Sequence, residues 1–346
     1  MVPGDSTVAE PAAGDGSRIN SAYGNSLGHK VSEVLTRGFC RRRVRPRMQE
    51  KSSSSIGKWR AIAVLSGFVV LTLPLMPVQA ILLRTSARGA RAFPNWYHRQ
   101  VCRLLGIRLH IEGAIARDKP VLVVANHSSW LDIPVLSAVA PVSFVAKKEV
   151  GGWPFVSQLA RLQRSVFVDR TRRGAVGAAT SEMTARLLAG DALVLFAEGT
   201  STDGNRVLPL RTSLFGAVMP LGGDKVPQEA VVQTCAVVYG HLHGLPIDRA
   251  GKPLVGWYGD MEMGSHAWEL LKAGPLDVRI TIGLPVPMGV FADRKALARH
   301  AEDELRQSVV RLLRGRLPGE TITATKAASM AAVQAAPIAK TSAKWT

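Results

Sequence analysis

Cysteine is nearly absent from this chain of 346 residues: Cys40, Cys102 and Cys235 make three, odd in number and far apart. That excludes a disulfide framework and a close thiolate cluster for a metal, and it suits a reducing compartment. Acids are also few, 26 Asp and Glu against 44 Lys and Arg, which leaves a formal net charge of +18. No repeat of fixed period is present, which excludes a solenoid or propeller. Formal charge itself is missing from Ala61 to Leu83, a run of 23 residues.

The surplus charge surrounds that gap. Residues 1–60 hold eleven Lys or Arg and five Asp or Glu, and residues 84–108 hold six Arg and no acid, so twelve surplus charges lie before residue 109. As a helix the uncharged run extends about 35 Å, against a hydrocarbon core of about 30 Å. Pro74 and Pro77 interrupt it, and Arg84, Arg88 and Arg91 crowd one end as Lys58 and Arg60 crowd the other, so the flanks set no orientation. Two basic flanks fit an interfacial or re-entrant anchor on anionic lipid better than a simple span. A secretory signal cleaved after Val78-Gln79-Ala80 is the competing reading, against which stand the length of the apolar run and the roughly sixty residues before it. Met48 is an alternative start, because residues 1–47 carry no periodic pattern.

What is there, from about residue 105, is an alternation of short apolar runs with amphipathic stretches, the pattern of an α/β domain. Strands are expected at Val121–Val124, Val142–Ala146, Ser165–Val168, Ala192–Phe196, 230–239 and 276–282, and helices at Leu131–Ala140, 154–163, 174–189, 210–219 and 293–314. The chain then divides into a basic, disordered region over 1–58, an anchor or re-entrant helical segment over 59–94, a folded domain over 95–318 and a low-complexity tail over 319–346. Trp257-Tyr258-Gly259-Asp260 and Trp268 read as core packing, with an apolar groove or a membrane interface as the alternative.

Three polar blocks stand at successive strand ends, the edge where open α/β sheets bind ligands. Asn126-His127-Ser128-Ser129-Trp130-Leu131-Asp132 offers a histidine as general base and a carboxylate to fix its tautomer. Val166-Phe167-Val168-Asp169-Arg170 ends in a cation that can clamp an oxyanion. Leu195-Phe196-Ala197-Glu198-Gly199-Thr200-Ser201 closes on a glycine turn, followed by Asp203-Gly204-Asn205-Arg206 and Arg211. The same His-x4-Asp spacing recurs at His243 and Asp248, but Gly244 and Pro246 mark that stretch as a turn.

Rival chemistries have weaker support. Gly24-Asn25-Ser26-Leu27-Gly28 matches a nucleophile elbow yet lacks the strand before and the helix after. His241 and His243 alternate to one face but lack a third metal ligand. A non-catalytic basic adaptor for membranes or nucleic acid accounts for the charge and leaves the three blocks unexplained.

In this order the blocks resemble the glycerolipid acyltransferases typified by 1-acyl-sn-glycerol-3-phosphate acyltransferase, which carry His-x4-Asp, Phe-x-Asp-Arg and Phe-Pro-Glu-Gly-Thr. The resemblance covers about residues 95–290. It implies a glycerol-3-phosphate acyltransferase-like mixed sheet flanked by helices, behind an N-terminal membrane-anchoring helical segment. It further implies that a thioester of coenzyme A or acyl carrier protein gives its acyl group to the free hydroxyl of a lysolipid. The first expected acceptor is 1-acyl-sn-glycerol-3-phosphate, giving phosphatidic acid, and the alternative is lyso-ornithine lipid. By the same resemblance His127 is the base and Asp132 its orienter, while Arg170, Glu198, Gly199 and Thr200 hold the head group with Arg206 and Arg211 nearby. No metal, no cofactor beyond the acyl donor and no nucleic acid are implied. Membrane lipids are the expected partners, with the domain facing the cytoplasm where the donors are.

The sequence departs from the family pattern at Ala197 (usually Pro), Ser201 (usually Arg), Arg164 (usually Gly) and near Thr234 (usually Pro). The lost cation at Ser201 leans toward an acceptor without phosphate, such as lyso-ornithine lipid.

Overall fold

The computed structural model describes residues 55–117, 119–168, 182–215 and 229–315. The uncharged run forms one helix, α1 (Ser55–Thr85), which continues through Pro74 and Pro77. Its buried residues are few, Ala61, Val64, Thr72 and Gln79, and Ile56, Val70, Leu73 and Ile81 are exposed. Ser86 breaks the helix and caps the next, α2 (Ala87–Leu105), by accepting the Gly89 N–H. Gly106, in the left-handed region at φ 74°, ends α2. Thr72 and Tyr97 hydroxyls bond at 2.7 Å, joining α1 to α2. Residues 94 and 95, the expected anchor boundary, fall inside α2.

After α2 the chain runs β1 (Ile107–Glu112), β2 (Val121–Ala125), α3 (Asp132–Val139), β3 (Val142–Lys147), α4 (Val156–Leu162), β4 (Val166–Val168) and β5 (Ala192–Leu195). It continues through β6 (Val231–Leu242), β7 (Leu245–Pro246), α5 (Met263–Ala273), β8 (Leu276–Ile282), β9 (Val286–Pro287) and α6 (Arg294–Leu313). Among the described residues these strands make one mixed sheet in the order β1-β8-β6-β2-β5-β3-β4, with β7 and β9 paired to β6. From β6 to β4 neighbouring strands are parallel, while β8 is antiparallel to β6.

Every residue of β2 is buried, as a continuous apolar run at the centre of a parallel sheet requires. Its alternate residues feed two cores. Leu122 and Val124 join Leu193, Leu195 and Leu297, Leu305 and Val309 of α6. Val121, Val123 and Ala125 join Val194 with Leu131, Val135 and Cys102 from the α2–α3 side. α1 packs on the second side, where Arg60 donates to the carbonyls of Leu105, at 2.8 Å, and Leu271, in the last turns of α2 and α5.

The expected mixed sheet is therefore present, and each expected strand is found within a residue or a few of its position. Four of these elements were not expected: β1, α5 and the two-residue strands β7 and β9. The helix expected over 210–219 is described only as the single turn Thr212–Phe215. The terminal regions 1–54 and 316–346, with the Gly24–Gly28 match, lie outside the described residues. The parallel order brings the ends of β2 and β5 to one edge, and the candidate site is built there.

Candidate active site

β2 stops pairing through its backbone at Ala125, and the Asn126 side chain takes over. Its Oδ1 accepts the Val237 N–H at 2.8 Å and its Nδ2 donates to the Val237 carbonyl at 3.0 Å. This reciprocal pair pins the point at which the chain leaves the sheet, so that residue 127 starts a loop at a fixed place.

That loop wraps one carboxylate. Asp132 is fully buried at the start of α3. Its Oδ2 accepts three donors: His127 Nδ1 at 2.9 Å and the backbone N–H groups of Ser128 and Ser129 at 2.8 and 3.0 Å. Its Oδ1 accepts the Tyr239 hydroxyl at 2.6 Å. Four donors from two stretches of chain, the 127–129 loop and β6, offset the cost of burying the charge. Burial, and then the charge of Asp132, push the Tyr239 hydroxyl well above its usual range, so it remains a donor.

With Asp132 as acceptor, the imidazole proton sits on Nδ1 and the lone pair on Nε2. The ring is one-fifth exposed and Nε2 has no hydrogen-bond partner among the described residues. Phe196 stacks on the ring at a centroid separation of 4.2 Å and Phe144 stacks behind Phe196. The arrangement presents one basic nitrogen at the sheet edge, with tautomer and plane both fixed.

Glu198 supports this loop from below. Its Oε1 accepts the His127 N–H and its Oε2 the Leu208 N–H, each at 2.9 Å, and it is almost fully buried. Burial pushes its carboxyl up to about 7, against the pull of those two N–H groups. Thr202 adds its own N–H to the His127 carbonyl at 2.9 Å. The loop after β5 thus braces both backbone groups of His127.

The other expected site residues are placed differently. Gly199 adopts φ 77°, and a Cβ there would lie 2.7 Å from Arg211 Nε, so glycine lets that arginine cross the turn. Arg211 is tied by its N–H to the Ala197 carbonyl at 2.9 Å, which brings it beside the block from which it is separated in sequence. Thr200 and Arg206 are exposed, and Ser201 is half-buried. Arg170 lies outside the described residues. Glu198, expected to hold a head group, instead has both oxygens occupied by backbone and turned inward.

Tyr239 went unread as a site residue. Its only sequence signal is a hydroxyl ending the buried run Val231–Tyr239, which demands a partner that spacing cannot identify. Lys252 supports it, donating to the Tyr239 carbonyl at 2.8 Å from a buried position. Trp257 is half-buried, donates its backbone N–H to the Ser128 carbonyl at 2.8 Å and sets its ring edge-on to Trp153, so that segment abuts the His127 loop. Trp268 packs instead against Ala61 and Val64 of α1. His243 bonds the Ala273 carbonyl and Asp248 accepts from Gly251, so the second His-x4-Asp spacing forms no pair. Cys102 and Cys235 are buried, and burial pushes their thiols up to about 12, away from the thiolate form.

The family model described as Acyltransferase matches residues 106–238, which span the whole dyad edge. A lyso-ornithine lipid O-acyltransferase of Brucella abortus (strain 2308) is 46% identical over 75% of this chain and 98% of its own length. A protein of the same name from Rhizobium meliloti (strain 1021) is 39% identical over 81% of this chain and 94% of its own. Among solved structures, the 1-acyl-sn-glycerophosphate acyltransferase PlsC of Thermotoga maritima matches with a TM-score of 0.56 and 20% identity, over 76% of this chain and 97% of that one. The last likeness is one of fold.

Proposed function

This chain belongs to the acyltransferase family and is an acyltransferase, and from that premise we propose that it esterifies the free hydroxyl of lyso-ornithine lipid with an acyl group from a cytoplasmic thioester. The observation that carries the chemistry is the His127–Asp132 pair, with Nδ1 bound at 2.9 Å and Nε2 left without a partner among the described residues on a ring one-fifth exposed. An acceptor hydroxyl placed at Nε2 gives up its proton as its oxygen attacks the thioester carbonyl. The new C–O bond forms, the C–S bond breaks, and the departing thiolate recovers the proton from the imidazolium. Asp132 holds the positive charge that His127 carries between those two transfers. No covalent enzyme intermediate enters this sequence.

Glu198 and Thr202 hold the His127 backbone and act as positioning residues. Thr200, Arg206 and Arg211 are left to meet the acceptor, and Arg170 is their proposed companion. Two features support lyso-ornithine lipid over 1-acyl-sn-glycerol-3-phosphate, the first expectation. The relatives at 46% and 39% identity carry that name. Position 201 holds an uncharged serine in the turn between Thr200 and Thr202.

The protein is membrane-associated through α1, the one helix among the described residues long and apolar enough to cross a bilayer. It lies in the interface rather than spanning, because its polar contacts to α2 and α5 run from Arg60 through Thr72 to Gln79 along one face, while the opposite face is apolar and exposed. The catalytic domain then faces the cytoplasm, where acyl-CoA and acyl carrier protein are found. The purified protein supplied with a labelled acyl thioester tests the reading. Lyso-ornithine lipid is expected to be acylated with a kcat/KM at least about tenfold above that for 1-acyl-sn-glycerol-3-phosphate, a gap of about 1.4 kcal/mol in transition-state binding; the reverse preference overturns the assignment.

A further inference from the structure

At the sheet edge opposite His127, where β2, β3 and β5 begin, lies a cavity of about 440 Å³. The length of β2, about 17 Å, separates the two edges. Among the described residues its walls carry six cations, Arg88, Arg91, Arg99, Arg117, Lys119 and Arg164, and one acid, Asp191. That acid is already shared. Asp191 is buried and forms ion pairs with Arg91 at 2.7 Å and Arg164 at 2.5 Å, with Arg186 at 3.8 Å. Among the described residues no acid pairs with Arg88, Arg99, Arg117 or Lys119.

Arg164 is the most informative member. It stands at φ 62°, in the left-handed region that glycine enters freely and other residues rarely do. The fold nonetheless places a guanidinium there, with only 15% of the side chain exposed, against Asp191. Burial pulls its pKa down, and the neighbouring Arg186 and Arg91 add to this while Asp191 opposes it. Excess positive charge is therefore held in a half-enclosed space by a strained backbone. Guanidinium groups gathered this way match the oxygens of a phosphate, which they bind through paired N–H donors.

The cavity also adjoins the membrane-facing helix. Gln79 of α1 donates to the carbonyls of Ala90 and Leu162, at 3.0 and 2.9 Å, and Ala90 and the following Gln163 belong to the cavity wall. On either side of Gln79, Val78 and Ile81 are exposed. We propose that this cavity is a phosphate-binding site, separate from the catalytic edge, that takes the phosphate ester of an anionic bilayer lipid and seats the domain on the membrane. The site goes beyond acyl transfer and draws only on the reading of α1 as membrane-facing.

The full-length protein is tested for binding to vesicles of phosphatidylcholine alone and of phosphatidylcholine with phosphatidylglycerol. Arg164→Gly, which also relieves the backbone, and Arg117→Gln are each expected to weaken binding to the anionic vesicles about fivefold, the scale of one basic residue at a charged membrane surface. Binding to neutral vesicles through α1 and acyl transfer in neutral micelles stay as in the wild type. Arg299→Gln, an exposed arginine on α6, is the control for net charge and is expected to change binding less than about twofold. Inorganic phosphate is expected to raise the unfolding temperature of the wild type more than that of Arg164→Gly.

Equal vesicle binding by the cavity variants and the wild type, an equal loss in Arg299→Gln, or equal protection by phosphate overturns the proposal. A raised KM for acyl-CoA with vesicle binding intact also overturns it and assigns the cavity to the phosphates of the soluble donor. Failure of every form to bind neutral vesicles would count against α1 as anchor, a result distinct from these.

Discussion

Tyr239 donates its hydroxyl to Asp132 Oδ1 at 2.6 Å, across 107 positions of sequence. The bond ties the base's carboxylate to β6, the longest strand of the sheet, and makes the orientation of His127 depend on a residue outside the three sequence blocks. Removing one hydrogen bond to a charged group costs about 1.5–3 kcal/mol. Tyr239→Phe is therefore expected to lower kcat about tenfold and the unfolding free energy by that amount, with KM nearly unchanged. An unchanged kcat would show that Asp132 is held well enough by the loop alone.

Asp132→Asn tests the carboxylate more severely. An amide can offer one acceptor oxygen where four donors converge, and its NH2 group faces N–H groups of the loop. The imidazole loses both its tautomer and the partner of its positive charge. By the precedent of carboxylate–histidine pairs in acyl transfer, kcat is expected to fall about 10³–10⁴-fold. Steady-state rates with labelled thioester, beside circular dichroism to confirm folding, measure this.

Glu198 gives stability a pH dependence of defined sign. Burial raises its carboxyl to about 7, above the value it has in the unfolded chain. Folding therefore favours the protonated form, and this contribution is complete below about pH 4.5 and is lost as pH rises through 7. The loss amounts to up to about 3 kcal/mol. Glu198→Gln removes the titration, so urea unfolding at pH 5 and pH 8 should show a smaller decline in the variant than in the wild type. Identical declines would place the titration elsewhere.

Gly199→Ala meets two obstacles, a φ of 77° and a Cβ 2.7 Å from Arg211 Nε. A loss of about 1–3 kcal/mol in stability is expected. Adding Arg211→Ala removes the contact and leaves the backbone strain, so the double variant should recover part of the loss. Thermal unfolding of the three proteins separates the two causes.

The residues show which parts of this architecture a sequence can announce. Val121–Val124 is legible because a central parallel strand is apolar on both faces, and the block after it follows from that placement. His127 and Asp132 are legible because both partners lie on one loop. β1 is hard to read because Ile107, Leu109 and Ile111 alternate with polar residues over only six positions, a weak signal. α5 is hard to read because it buries only the short apolar pair Leu270 and Leu271. Tyr239 and the inward turn of Glu198 depend on long-range pairing, which no local pattern encodes. The three-arginine grip on Asp191 is of the same kind, assembled from residues 91, 164, 186 and 191.

The central claim is that Nε2 of His127 takes the proton of the acceptor hydroxyl. Single-turnover transfer of a labelled acyl group to lyso-ornithine lipid by His127→Ala, with vesicle association measured on the same preparation, tests it most directly. The account predicts transfer reduced at least about 10³-fold with vesicle association unchanged. Transfer at the wild-type rate by a folded, membrane-bound His127→Ala protein would contradict it.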